Sequence, residues 1–459
     1  MLIEFSVANF RSIRDEITLS MVASNTVKEL EGEAGESNNV FFDQNDKKYL
    51  KSAVIYGANG SGKSNLLTAM LFLKQFVRNS SNSGQGDQVI PVIPFLLNTA
   101  NKKEPSSFEI TFVLDQMRYR YGLQVTQEKV TAEWLFGIEA NSKGKESYYF
   151  TRDEESIKVN AKNFKEGKNI VGNTRNNALF LSTVAQLNGP LAQGILKWFG
   201  SNFNILSGLS DHTVDFTKEK VWKDIEFRKK VVELMRVLNS GMEDIYLQES
   251  ILENLPVPSP VATQNNSKLT AILDQLKEEV RKLRPDVITD QQDVDVSSMH
   301  KQYDAAGNFV DIVALDFDFQ SSGTKKLFAL LGPWLECLEN GEILIVDELD
   351  SKFHTKLTAE LIKLFHSKLN ANNAQLIFAS HDTNLLRKDI FRRDQIWFAE
   401  KDDKGGTDLY SLVEYKVNQA TSVRNDASYE KDYLMGKYGA IPYFGNIERF
   451  LNDFVDEQI

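Results

Sequence analysis

Gly57-Ala58-Asn59-Gly60-Ser61-Gly62-Lys63-Ser64 is the stretch that decides the fold. It fits G-x-x-x-x-G-K-[ST]. The apolar run Ser52-Ala53-Val54-Ile55-Tyr56 precedes it and Asn65-Leu66-Leu67-Thr68-Ala69-Met70-Leu71-Phe72-Leu73 follows it. The first run reads as a buried strand and the second as a helix, the context a phosphate-binding P-loop requires. Glycines let consecutive backbone N–H groups curl around an anion, and the helix N-terminus adds a favourable dipole. Gly57, Asn59, Gly60, Ser61 and Gly62 would form the cradle. Lys63 would reach the β and γ phosphates of a nucleoside triphosphate, and the Ser64 hydroxyl would hold Mg²⁺.

Three further stretches fit the same site. Glu342-Ile343-Leu344-Ile345-Val346-Asp347-Glu348 is an apolar strand ending in two carboxylates. In that Walker B arrangement Asp347 would order Mg²⁺ and Glu348 would polarise the attacking water as general base. Ala374-Gln375-Leu376-Ile377-Phe378-Ala379-Ser380-His381-Asp382 is a second buried strand. It carries His381 to the carboxyl edge of the sheet, where ligands bind in open α/β folds. The alternative for His381 is a capping role at the strand end. Gln320-Ser321-Ser322-Gly323-Thr324-Lys325-Lys326 opens the helix Leu327-Phe328-Ala329-Leu330-Leu331, either as another anion-binding N-terminus or as an ordinary Ser/Thr cap.

At 459 residues the chain can bury one large or two moderate cores. The net charge of −11 argues against a surface that coats nucleic acid, since such binding rests on neutralising phosphates. Cys337 is the only cysteine, which leaves no disulfide framework and no cysteine zinc site. Met1-Leu2-Ile3-Glu4-Phe5 lacks the features of a signal peptide, and no run of about 18 apolar residues is present, so a cytoplasmic location off the membrane is expected.

Apolar alternation at Ile3, Phe5, Val7 and again at Ile17, Leu19, Met21 predicts two strands around Asn9-Phe10-Arg11-Ser12. Strand patterns recur from Ser107 to Phe136. From about residue 150 charged helical stretches alternate with loops. Leu269, Ile272, Leu273, Leu276, Val280 and Leu283 repeat at helix spacing after the stiff Pro256-Val257-Pro258-Ser259-Pro260. They mark either a short arm or an ordinary amphipathic helix. The globular character of the head returns at Phe309-Val310-Asp311-Ile312-Val313-Ala314-Leu315-Asp316-Phe317 and runs through alternating strand and helix patterns to about 400. The expected organisation is an α/β head written in two pieces, 1–150 and 309–425, around a mostly helical insertion at 151–308, with a C-terminal segment at 426–459.

The order of these motifs resembles the ABC-type P-loop ATPase heads of SMC, RecF and OLD-like proteins, a mixed sheet with flanking helices. Asn9-Phe10-Arg11-Ser12 matches the opening-strand motif of those families, Ser321-Ser322-Gly323-Thr324 the signature, Leu349-Asp350-Ser351 the D-loop and His381 the switch histidine. Within the group the chain is similar to compact ABC-like ATPases of prokaryotic anti-phage operons, including the ATPase of the PARIS system. Arg393-Asp394-Gln395-Ile396-Trp397-Phe398-Ala399-Glu400-Lys401 and Tyr438-Gly439-Ala440-Ile441-Pro442 are typical of that subset. The resemblance covers roughly 1–125 and 310–445. It implies ATP and Mg²⁺ as ligands, Arg11, Ser321, Ser322, Gly323 and Asp350 as nucleotide contacts, and Glu348 and His381 as catalytic groups. It further implies a homo-oligomer, a dimer or a multiple of dimers, that sandwiches ATP, a separate effector such as a nuclease, and a phage protein or DNA as trigger. A Q-loop glutamine would be sought at Gln85 or Gln88.

Two other readings stay open. In a RecF-type DNA-clamping ATPase, Lys218, Lys220, Lys223, Arg228, Lys229 and Lys230 would contact phosphates, although Asp215, Glu219, Asp224 and Glu226 interleave with them as on a solvated helix face. An assembly scaffold would bind ATP with little turnover.

Overall fold

The computed structural model describes residues 1–27, 39–43, 45–81, 89–142, 144–206, 211–238, 241–249, 294–417, 421–422 and 428–442. The helical repeat at 269–283, the proline stretch 256–260, and Gln85 and Gln88 lie outside the described residues. The chain divides into two compact units, Met1–Gly208 with Trp334–Ile459, and Leu209–Pro333.

Among the described residues the first unit holds two large sheets and two two-stranded ones, Val40–Phe42 with Lys48–Leu50 and Lys416–Val417 with Thr421–Ser422. Its six-stranded sheet runs Phe203–Leu206, Ile343–Val346, Gln375–Ala379, Ser52–Tyr56, Ile396–Lys401, Thr407–Ser411. All pairings are parallel except that of the last, edge strand. Ser52–Tyr56, Ile343–Val346 and Gln375–Ala379 are buried at every residue. Parallel strands covered on both faces are near-continuously apolar, which is why these read as hydrophobic runs; the polar residues that open two of them, Ser52 and Gln375, are buried with hydrogen-bond partners. The seven-stranded sheet is antiparallel, in the order Ile157–Val159, Ser147–Arg152, Val130–Glu139, Met117–Val125, Ser106–Leu114, Leu2–Ala8, Ile17–Ser20. Its strands alternate: Phe108, Ile110 and Phe112 point into the core while their neighbours are half-buried.

Helix Lys63–Asn79, which the P-loop launches, ties these layers together. Its Phe72 lies 4.9 Å from the ring of Phe108 and 5.8 Å from that of Phe10. The same apolar cluster includes Ile55, Ile345 and Ile377 from the parallel sheet. The turn at 9–12 is fixed by Asn9, whose φ of +52° suits a residue that tolerates the left-handed region. Its amide donates to the carbonyls of Asn101 and Glu104 and accepts from the Phe95 N–H. Phe10 is thereby turned into the core and Arg11 out to solvent.

The second unit contains helices Asp211–Lys223 and Ile225–Val237, a three-stranded antiparallel sheet (Asp244–Glu249, Val294–Tyr303, Phe309–Asp316) and the start of helix Ser322–Asn340. Asp224 caps the second helix by accepting from the Glu226 and Phe227 N–H groups. Pro333 lies inside Ser322–Asn340, where the unit boundary falls. Proline has no N–H, so the carbonyl four residues back, Ala329, loses its helical donor. The Thr217 hydroxyl supplies one at 2.9 Å. Gly332 permits the approach, because a Cβ there would sit 2.1 Å from Thr217 Oγ1.

Candidate functional site

In the parallel sheet the strand ending at Val346, the strand ending at Ala379 and the strand ending at Tyr56 are consecutive neighbours, with Val346 beside Phe378 and Phe378 beside Val54. Their carboxyl ends therefore bring Asp347 and Glu348, His381, and the loop at 57–62 to one edge, where backbone and side chains leaving a parallel sheet converge.

The loop geometry needs its glycines. Gly60 and Gly62 have φ of +79° and +110°. A Cβ on Gly62 would meet Thr407 Oγ1 at 2.1 Å. Gly57 lies against the Ala399 carbonyl, which a Cβ would approach to 2.3 Å. Lys63 Nζ donates to the Gly57 and Ala58 carbonyls at 2.7 and 3.0 Å, spanning its own loop. Burial lowers the Lys63 ammonium to about 8, against the opposing pull of Asp347, Asp350 and Glu348.

Asp347 follows a fully buried strand. Its Oδ1, together with Asp350 Oδ1 and Ser61 Oγ, is buried with no hydrogen-bond partner among the described residues. Buried acceptors without donors are costly. Two orphaned carboxylate oxygens beside a phosphate cradle fit a cation that arrives with its phosphate. Among the described residues no cluster of three or more His, Cys, Asp or Glu side chains could hold a metal by itself. Mg²⁺ keeps several waters and leans on substrate phosphates, so a site for it calls for only one or two protein oxygens, a number that the Ser64 hydroxyl and the Asp347 carboxylate could supply.

Glu348 is exposed and has φ of +51°, an uncommon conformation for a non-glycine residue that costs on the order of 1–3 kcal/mol. It turns the Glu348 side chain outward while Leu349 is fully buried, its N–H bonded to the Ala379 carbonyl at 3.3 Å. His381 donates its backbone N–H to Asp350 Oδ2 at 3.2 Å. Burial, and then Lys63, lower the His381 imidazole below its usual value, while Asp350, Glu348 and Asp347 oppose them. The ring is neutral at pH 7. Lys63, Asp347, Glu348, Asp350 and His381 thus sit within mutual electrostatic reach.

Arg11 is exposed beside the first turn of the P-loop helix, with Nη1 3.5 Å from Asn65 Oδ1. Ser64 is exposed and Asn59 stands at the open rim. Ser321, Ser322 and Gly323 belong to the second unit. There the Ser321 hydroxyl accepts from the Thr324 N–H at 3.1 Å, the bond of a helix cap, and Ser322 and Gly323 form the first turn. Three of the basic residues of 218–230 form ion pairs: Lys223 with Glu219 and Lys229 with Glu226 along their helices, as on a solvated helix face, and Arg228 with Asp244 at the start of strand Asp244–Glu249. A surface cavity of about 980 Å³, lined among others by Lys102, Glu104, Lys129 and Glu154, shares no residue with the group at the sheet edge. Ser12, Asn65 and Thr407 also touch the P-loop region; Ser12 closes the Asn9-Phe10-Arg11-Ser12 motif, whereas no motif in the sequence marks Asn65 or Thr407.

Strand Ser52–Tyr56, the glycine loop and helix Lys63–Asn79 together make a P-loop in an α/β fold. The chain belongs to the family described as "AAA domain, putative AbiEii toxin, Type IV TA system", which matches residues 52–387. No curated protein matches it. Among solved structures it is similar to an Smc head bound to the C-winged helix domain of ScpA, at 14% identity over 92% of this chain and 99% of that one, with a TM-score of 0.43. It is also similar to the SMC head domain from Thermotoga maritima (12% identity, 89% and 98% covered, TM-score 0.35). A third is the recombination mediator RecF of the RecFOR pathway (15% identity, 89% and 98% covered, TM-score 0.33). Among the described residues no helix is long and apolar enough to cross a membrane.

Proposed function

We propose that the chain binds and hydrolyses ATP with Mg²⁺ as a homo-oligomer, and that it serves as an infection sensor or regulator in an anti-phage system, controlling a separate effector, a nuclease, through ATP-dependent assembly. The observation that carries the catalytic part is the convergence of Lys63, Asp347, Glu348 and His381 at one sheet edge. The family's description as an AbiEii toxin of type IV TA systems supports the defence part.

In this reading the backbone of Gly57, Asn59, Gly60, Ser61 and Gly62 cradles the phosphates and Lys63 balances their charge. Ser64 and Asp347 would hold Mg²⁺, which when bound neutralises charge developing on the β and γ phosphates. The Glu348 carboxylate takes the proton of the water that attacks the γ-phosphorus. The neutral His381 ring orients that water or the γ-phosphate by a hydrogen bond. Arg11 and Asp350 add contacts at the rim. Ser321, Ser322 and Gly323 of a second copy would close the site over the γ-phosphate. ATP then favours the closed pair more than ADP does, and that difference drives the change of state.

Sedimentation tests the assembly directly. Glu348→Gln protein should form a dimer or larger species with MgATP and revert with ADP. The same size under both nucleotides would remove the switch from the account.

A further inference from the structure

The hairpin joining Ile396–Lys401 to Thr407–Ser411 forms the back wall of the P-loop. Asp402 organises its turn, accepting from the Lys404 and Gly406 N–H groups at 2.9 and 2.7 Å, and pairs with Arg14 at 2.9 Å. The first residue after the turn, Thr407, is buried, and its N–H donates to the Ser12 carbonyl at 2.8 Å. Its hydroxyl lies 2.9 Å from the Ser61 carbonyl and 2.8 Å from Ser12 Oγ. Ser12 Oγ in turn lies 2.7 Å from Asn65 Nδ2, and Asn65 Oδ1 3.5 Å from Arg11 Nη1.

Donor chemistry fixes the direction of every link. A carbonyl only accepts, so the single Thr407 proton goes to Ser61, and Ser12 must donate to Thr407. A guanidinium only donates, so Asn65 presents its oxygen to Arg11 and its NH₂ to Ser12. The result is a one-way chain from the exposed Arg11 to the buried back of the P-loop, in which each bond polarises the next. In a trans peptide the C=O and N–H point opposite ways. Holding the Ser61 carbonyl from behind therefore aims the Gly62 N–H to the other side of the same peptide plane.

We infer that Thr407 is a positioning residue for nucleotide binding: its hydroxyl sets the Ser61–Gly62 peptide of the P-loop and links it, through Ser12 and Asn65, to Arg11. This rests on the reading of the loop as an ATP site. It adds a specificity for phosphate that comes from a strand edge far along the chain.

The test is binding of a fluorescent ATP analogue and steady-state hydrolysis by wild type, Thr407→Val, Thr407→Ser and Ser12→Ala, each checked by circular dichroism. Thr407→Val keeps the shape and deletes the donor. It should raise Kd and KM about tenfold, the usual worth of one buried hydrogen bond, with kcat within about twofold, because the peptide is needed equally by bound substrate and transition state. Thr407→Ser should restore binding to within about twofold of wild type. Ser12→Ala leaves the strand edge untouched and should weaken binding in the same direction, so it decides the matter if Thr407→Val fails to fold. Arg11→Ala should cost less in the Thr407→Val background than alone, since the two share one chain. Wild-type affinity in both Thr407→Val and Ser12→Ala, or a Thr407→Ser protein as weak as Thr407→Val, would overturn the inference while leaving the ATPase reading intact. Wild-type protein that binds no ATP would end both.

Discussion

Raising the pH from 7 to 9 should weaken ATP binding about tenfold, and Lys63 is the reason. Burial holds its ammonium at about 8 rather than 10.5 in the nucleotide-free site. The charged fraction is then about nine-tenths at pH 7, half at pH 8 and one-tenth at pH 9. If only the ammonium binds the triphosphate, the apparent Kd scales as one plus ten to the power of the pH minus 8, which gives the tenfold loss. A phosphate with its last pKa at about 6 is already ionised across this range and adds no slope. Folding should move the other way. A lysine whose pKa is lower in the folded than in the unfolded chain makes the unfolded chain the better proton binder between about 8 and 10.5, so nucleotide-free stability gains as pH rises through that window. Lys74, brought to about 8 by burial, adds in the same direction. The assay is calorimetric titration with MgATP at fixed ionic strength from pH 7 to 9.5, beside thermal melts of the free protein. Lys63→Arg is the control, since its guanidinium keeps its charge and should show no such slope whatever its affinity. A Kd flat from pH 7 to 9.5 would refute the reasoning.

Other substitutions test the surroundings. Gly62→Ala would place a Cβ 2.1 Å from Thr407 Oγ1 at φ of +110°, so nucleotide binding should fall by at least about a hundredfold in the same titration, with a lowered melting temperature. Thr217→Val leaves the Ala329 carbonyl opposite Pro333 without its donor and should cost about 1–3 kcal/mol in urea unfolding, with ATP affinity unchanged. His366 is buried against Ser52, 2.8 Å away, and its ring is lowered to about 3. The native state then refuses a proton that the unfolded chain accepts below 6.5. Stability from this group is lost as pH falls through that range, about 2 kcal/mol by pH 5. His366→Gln should flatten that part of the difference between urea midpoints at pH 8 and pH 5.

The sheet edge that gathers Lys63, Asp347, Glu348 and His381 was legible because its parts are local. A glycine loop, a strand buried on both faces and a terminal carboxylate pair each occupy fewer than about ten consecutive residues, and a buried parallel strand is near-continuously apolar. Other features depend on distant partners. Phe203–Leu206 is a four-residue strand that joins the parallel sheet only by pairing with Ile343–Val346, and nothing in Phe203-Asn204-Ile205-Leu206 announces it. Phe309–Asp316 reads as the point where the α/β head resumes, but its exposed side chains and its pairing with Val294–Tyr303 place it in the small sheet of the second unit, and the head resumes only at Trp334. The Arg393-Asp394-Gln395 stretch stood out without a role. In the structure Asp394 is buried against Arg392 and accepts the Ser24 N–H, while Gln395 accepts from Asn39, so the stretch fastens chain segments more than 300 residues away. Thr407 was invisible for the same reason: its function is a single hydroxyl meeting Ser12 and Ser61 from the far end of the chain.

As proposed, the group at the sheet edge hydrolyses ATP with Glu348 as its base. Single-turnover phosphate release from MgATP, measured on wild type and Glu348→Gln beside their ATP affinities, tests it most directly. The account predicts release by wild type, and release at least about a hundredfold slower by Glu348→Gln with ATP affinity preserved. Equal release by the two proteins, or none by wild type that binds ATP, would contradict it.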